Sequence, residues 1–428
     1  MLDQSIALMR EGIKAGVTQP KIVMRGIPGQ IEAQIDVDPA SSSFMTPFAD
    51  LPPEIAAKGE SLAAEAASVV ETQVFPALRA MHAFLVDEYL PACTESTSRA
   101  DFPDGAAWYA YAVRRFTTTD LTPSQIHGIG MSEVERIRAE MADVIASTEF
   151  VGSFDDFARF LREDDQFYFD TAEELLRTYR DICKRADPEL ARLFGTLPRL
   201  PYGVLPVPAY IEQVTTTAYY MRGSPRAGRP GYFYANTYDL RTRPSWEMEA
   251  LSLHEAVPGH HLQIALGHEL EELPEFRKHL MITAFTEGWG LYSESLGSEM
   301  GFYKDPYSKF GQLTYEMWRA IRLVVDTGLH ALGWSRDQAI EFFKSNTAKS
   351  EHDIVVEVDR YISWPGQALA YKIGELKIKE LREYATSQLG ERFDIRAFHD
   401  ELLREAALPL DILQARIKGW VSRVAGRE

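Results

Sequence analysis

Eight consecutive residues, His254-Glu255-Ala256-Val257-Pro258-Gly259-His260-His261, constrain the fold of this chain more than any other segment. A helical His-Glu pair with a second His one turn later binds a single zinc ion and sets the Glu beside the water it activates. In this chain the one-turn position, four residues after His254, is Pro258. A proline inside a helix removes one backbone hydrogen bond and clashes with the carbonyl four residues back, here that of His254. Gly259 follows, and glycine tolerates unusual dihedrals. The helix is therefore expected to bulge or break at Pro258-Gly259. In an unbroken helix His260 would lie opposite His254, and His261 would share its face but sit about 10 Å along the axis. A bulge that absorbs two residues brings His260 into the one-turn position, and one that absorbs three brings His261.

His260 is the expected second ligand, with His261 as its alternate, because a small residue followed by His resembles the second-ligand context of related zinc enzymes. A third ligand must come from elsewhere. The segment Phe285-Thr-Glu287-Gly-Trp-Gly-Leu-Tyr292-Ser-Glu294 resembles the Asn-Glu-Gly-Phe-Ala helix of zinc aminopeptidases of the thermolysin-related group, which implies Glu287 as that ligand. Glu294 lies seven residues on, on the same helical face, and is expected to hydrogen-bond a ligating His from behind.

Around this motif the chain reads as mainly helical. Thr122-Pro123-Ser124-Gln125 has the signature of a helix start, with Thr as cap and Pro at the first helical position. Thr171-Ala-Glu-Glu174 opens another helix, running to about Lys184. The segment from Glu54 to about Tyr89 is helical in pattern, with a break or kink expected at Pro76. Between about 205 and 240, Pro and Gly become frequent and two β-like runs appear, Ala209 to Tyr219 and Tyr232 to Tyr238. They predict a small antiparallel β element directly before the metal-binding helix. Residues 1–428 are read as one domain.

The net charge of −18 argues against a nucleic-acid binder, which would present a basic face, and against docking on anionic lipid. No stretch approaches the roughly 18 apolar residues of a membrane span. The N-terminus lacks the basic and apolar regions of a signal peptide, so the cytoplasm is the simplest compartment. Cys93 and Cys183 form no Cys-x-x-Cys pair and are read as two buried free thiols.

Two later segments supply further candidates. Arg322, Asp326 and His330 fall on one helical stripe amid Leu323, Val324, Val325 and Leu329. Buried charges need partners or a function. Zinc hydrolases need a donor for the oxyanion opposite the metal, and peptidases that hold a free C-terminus need a cation. Tyr371, Tyr361 and His330 are the donor candidates, and Arg322 and Arg360 the cation candidates. The run Gln367-Ala-Leu-Ala-Tyr371 resembles the segment carrying the oxyanion tyrosine in thimet-oligopeptidase-like enzymes. Asn236, in the second β-like run, is a candidate for pairing with an extended substrate.

Taken together, these motifs resemble the bacterial family known as domain of unknown function 885. The marks are Phe116-Thr-Thr-Thr119 before a Leu-Thr-Pro-x-x-Ile-His helix start, His254 to Gln263, Thr286 to Tyr292, Arg322 to His330 and Arg360 to Ala368. The likeness runs from about residue 20 to about 420. It implies a helical zinc-peptidase-like fold with a deep cleft. Family members usually carry a longer N-terminal helical region, so a short form or fragment is expected. The resulting expectation is a Zn²⁺ hydrolase in which His254, His260 and Glu287 hold the ion and Glu255 is the base, acting on a small peptide, perhaps from its C-terminus. A zinc amidase for a non-peptide amide and a non-catalytic metal-bearing binding protein are the alternatives.

Overall fold

The computed structural model describes residues 1–49, 51–209 and 211–426. The chain forms two compact units, Met1–Trp108 and Tyr109–Glu428, and every candidate site residue lies in the second. Unit one is helical, with a core of Ile6, Ile31, Met81, Phe84, Leu85, Tyr89 and Cys93. Pro76 does not break its helix. The backbone widens into a π-turn over Val70–Val74 and resumes as an α-helix over Phe75–Phe84. A second π-turn, Leu85–Tyr89, precedes Pro91 in the same way. A π-turn leaves room for the ring and for the hydrogen bond it removes.

Unit two is built on long helices. Helix α1, Pro123–Ser147, starts with the expected capping box: Thr122 takes the Gln125 N–H and Gln125 answers the Thr122 N–H. Helix α2, Ala172–Ala186, is capped by the Thr171 side chain. A three-stranded sheet follows: β1, Tyr202–Pro206; β2, Ala218–Met221; and β3, Gly231–Ala235. Its order is β1-β3-β2, with β3 parallel to β1 and antiparallel to β2. The sheet is thus mixed, not purely antiparallel. The run from Ala209 to Tyr219 is mostly irregular and contributes only its last two residues to a strand; Tyr210 lies outside the described residues. Tyr179 of α2 packs edge-on against Phe233 of β3, which seats the sheet on the helical core.

The remaining helices are α3 (Met248–Glu255), α4 (His260–Glu269), α5 (Thr283–Leu296), α6 (Pro306–Ala331), α7 (Glu351–Ser363) and α8 (Ala370–Leu389). Helix α6 is buried from Phe310 to His330 on nearly every side, as its apolar run implies. It packs along α1 at Gly130, where a Cβ would sit 2.7 Å from Leu323 Cβ. Helices α5 and α8 cross at Gly288 and Gly374, where a Cβ on Gly288 would lie 2.5 Å from the Gly374 backbone. Only glycine lets two helix backbones approach so closely, and this contact sets Tyr371, one turn before Gly374, near Glu287. Cys93 and Cys183 are both free and buried.

Candidate metal centre

Helix α3 stops at Glu255 and α4 starts at His260, so the chain breaks at the expected Pro258-Gly259 position. The turn folds back tightly on α3: a Cβ on Gly259 would collide with the carbonyl oxygens of Leu253 and His254. The Trp289 indole N–H donates to the Pro258 carbonyl at 2.9 Å, which pins the turn to α5. Within this geometry His254 and His260 come together, with ring centroids 4.7 Å apart. Glu287 arrives from α5. Its Oε2 lies 3.7 Å from His254 Nε2 and 3.5 Å from His260 Nε2. One ligand atom from each of the three residues lies within 4.8 Å of the other two.

These separations are too long for good hydrogen bonds. They suit three atoms around a shared ion, since tetrahedral ligands about 2.0–2.1 Å from zinc lie roughly 3.4 Å from one another. Two imidazoles and one carboxylate are also a donor set that leaves a fourth position for water or substrate. The residues therefore fit a zinc ion.

Glu294 stands behind His254, with its Oε1 2.8 Å from His254 Nδ1. An ionised carboxylate only accepts, so Nδ1 carries the proton and Nε2 is directed to the cluster. Burial alone would lower the His254 pKa, but the Glu287 and Glu294 carboxylates outweigh it and lift it to about 9. Burial alone would raise Glu287, yet the two imidazoles hold it well below the usual carboxylate range. A bound divalent cation would take over that role from the imidazole proton. Glu255 ends α3 beside His254 and is buried; no described residue hydrogen-bonds its carboxylate.

His261 points elsewhere. Its Nε2 donates to the Leu200 carbonyl at 3.0 Å, and its Nδ1 accepts from the Tyr220 hydroxyl at 2.9 Å. Burial holds it neutral, with the pKa pushed down to about 4. It ties α4 to the sheet. Asn236 is likewise committed: its amide donates to the carbonyls of Glu212, Thr215 and Thr216, and its Oδ1 takes the Tyr238 N–H. That side chain clamps the loop before β2.

The donor candidates separate in the same way. Tyr371 lies close enough to Glu287 for the two to interact electrostatically, and burial together with that charge raises its pKa. Its hydroxyl therefore stays a proton donor at neutral pH. The Tyr361 hydroxyl is already given to Glu357 Oε2 at 2.6 Å. His330 Nε2 donates to the Tyr361 carbonyl at 3.0 Å, and Asp326 accepts the Tyr109 hydroxyl and the Gly366 N–H. His330 and Asp326 thus anchor the α7–α8 connection. Arg360 donates to Gln367 Oε1 at 2.7 Å, while Arg322 pairs with Glu357 at 2.9 Å beneath the Tyr371 ring. Arg319, which the sequence reading passed over, lies one turn before Arg322, with its Nη2 3.7 Å from Glu294 Oε1. A second arginine three residues before the first, on an apolar helix, is the signal that pointed to it.

Concavities occur elsewhere on this unit. One, of about 60 Å³, is lined in part by Gln263, His268, His279 and Thr286, and another, of about 410 Å³, by Tyr292 and Arg382; neither is lined by the three clustered residues.

Over residues 1–417 the chain matches the family described as bacterial protein of unknown function, DUF885. A solved structure of a provisionally assigned lipoprotein from Colwellia psychrerythraea is 32% identical, with a TM-score of 0.93, covering 98% of this chain and 73% of the other. A second, a provisionally assigned lipoprotein of unknown function from Shewanella oneidensis, is 18% identical with a TM-score of 0.69, covering 97% of this chain and 77% of the other; it is alike in fold. No curated protein matches the chain.

Proposed function

For a chain that belongs to the bacterial DUF885 family, we propose zinc-dependent hydrolysis of peptide bonds in short peptides. The observation that carries this reading is the convergence of His254, His260 and Glu287 at ion-sharing distances, with Glu255 next to His254 in the chain and near enough to act on it electrostatically, and Glu294 behind His254. Held by His254, His260 and Glu287, a zinc ion would supply Lewis-acid chemistry to a water and to the scissile carbonyl. Glu255 takes the proton from the attacking water and hands it to the leaving amine. Glu294 fixes the tautomer and orientation of His254. The Tyr371 hydroxyl donates to the oxygen on which negative charge develops. Glu287 keeps its charge against burial, so the site binds a cation without first losing a proton from that carboxyl.

A zinc amidase would use the same residues with a different pocket. Peptide-library cleavage read by mass spectrometry, set against a panel of non-peptide amides, separates the two. The Glu255→Gln variant is expected to bind zinc as the wild type does and to lose about 100-fold or more of its turnover. Zinc binding with full turnover in that variant would remove Glu255 from its role. Zinc binding with no cleavage by the wild type, together with tight binding of a ligand, would favour a non-catalytic metal protein.

In place of the cytoplasm, the lipoprotein designation of the Colwellia psychrerythraea structure supports a location outside it. Cell fractionation of the native protein tests this, and recovery in the cytosol alone would contradict it. Among the described residues no helix is long and apolar enough to cross a membrane.

A further inference from the structure

A guanidinium removed from water needs acceptors for its N–H groups and an anion for its charge. Helix α6 buries two, Arg319 and Arg322, three residues apart. Arg322 Nε donates to the Tyr361 hydroxyl at 2.9 Å and Nη2 to Glu357 at 2.9 Å, but Nη1 is buried with no partner. Arg319 Nη1 donates to the Tyr315 carbonyl at 3.2 Å, and Nε is buried with no partner. Its nearest carboxylate oxygen, Glu294 Oε1 at 3.7 Å, is beyond hydrogen-bond distance and already bonded to His254. Glu294 Oε2 also lacks a hydrogen-bond partner. Glu357 is shared, because Arg360 Nη1 lies 3.5 Å from it. Arg322 Nη1 and Arg319 Nε are thus two buried N–H groups left without an acceptor.

These unsatisfied donors lie beside the proposed reaction site. Both guanidinia lie over the ring of Tyr371, Arg322 at 4.6 Å and Arg319 at 6.0 Å, and Tyr371 neighbours Glu287. The geometry points to a receiving site for the free C-terminal carboxylate of the substrate, with Arg322 as its main prong and Arg319 as its second. A planar carboxylate offers acceptor oxygens to both unsatisfied N–H groups and matches the fork of an arginine. Arg360, bonded to Gln367 Oε1, is the more exposed of the two cations on Glu357 and has no buried N–H left without a partner. This inference rests on the hydrolase reading and narrows its substrates to peptides with an unblocked C-terminus.

The test uses the zinc-loaded full chain and N-acetylated tri- and tetrapeptides of alanine and phenylalanine, each made as the free acid and as the C-terminal amide. Hydrolysis is followed by mass spectrometry, and binding to zinc-loaded Glu255→Gln by calorimetry. The acids are expected to exceed the amides in kcat/KM by about 100-fold or more, since a site built for a charged group rejects an analogue lacking it. Arg322→Lys is expected to narrow that ratio. Cleavage of acids and amides alike would overturn the carboxylate site and leave the hydrolase standing. Cleavage of neither would refute the hydrolase, and the calorimetry then decides the inference. Acids binding at least about tenfold tighter than amides would uphold the receptor, and equal or absent binding would overturn it. The acid–amide comparison needs no variant, so a poorly folding Arg322→Lys does not remove the test.

Discussion

At Gly290 a Cβ would lie 2.7 Å from His254 Cε1 and 2.8 Å from Nε2, so the imidazole occupies the space a side chain would need. Gly290→Ala is expected to push the ring off the cluster and to weaken zinc binding by about 10- to 100-fold, comparable to loss of a residue that orients a ligand. Zinc titration by calorimetry checks this, and unchanged affinity would contradict it. Asp326 shows a different residue-scale effect. Burial raises its pKa to about 7 against the hydrogen bonds from Tyr109 and Gly366, which pull the other way. The folded carboxyl thus holds its proton more tightly than an unfolded one, whose pKa is near ~3.9. Its contribution to stability is full below about pH 4 and is lost as pH rises towards 7. Asp326→Asn is expected to flatten the decline of stability across that window, as read by denaturant unfolding at pH 4, 5.5 and 7. An unchanged pH slope would refute the assignment.

Among the elements, the crossing of α5 and α8 does most to assemble the site. A Cβ on Gly374 would collide with the Ala284 carbonyl and lie 2.8 Å from Gly288 Cα. Gly374→Ala must part the helices, at a cost of about 1–3 kcal/mol. It should also move Tyr371 from Glu287, lowering turnover more than zinc affinity; melting curves, kinetics and zinc titration on one variant separate these effects. Much of this level was legible in the sequence. The break at Pro258-Gly259, the Thr122 cap and the seven-residue spacing of Glu294 from Glu287 follow from local rules that act within a few residues. Strand β1 was not legible, because it is five residues long, contains Gly203 and Pro206, and pairs with a strand almost thirty residues away. The Ala209–Tyr219 run has β-favouring residues, yet three carbonyls of its middle are held by the Asn236 amide and not by a neighbouring strand. Arg319 gave only its spacing from Arg322, since which nitrogen of a buried arginine lacks a partner is a tertiary fact.

On the scale of the whole molecule, unit two places its charge in its interior as well as on its surface. Lys372 is fully buried and pairs with Glu316 at 2.7 Å, Glu133 at 2.9 Å and Glu375 at 2.7 Å, joining α1, α6 and α8. Arg136 and Lys379 extend the network to the surface. Removing one member of such a set leaves charges buried without a counterion, so Lys372→Met is expected to destabilise the protein by about 3–5 kcal/mol, read by denaturant unfolding. A loss under about 1 kcal/mol would show that the carboxylates are solvated or protonated. This network fixes the frame that carries α5, α6 and α8 to the metal cluster. The central claim, that His254, His260 and Glu287 share a zinc ion, is tested most directly by anomalous diffraction at the zinc edge from crystals of the zinc-loaded chain. The account expects one strong peak about 2.0–2.2 Å from a nitrogen of His254, a nitrogen of His260 and an oxygen of Glu287. A peak held by His261 instead, or no peak at these residues under saturating zinc, would contradict it.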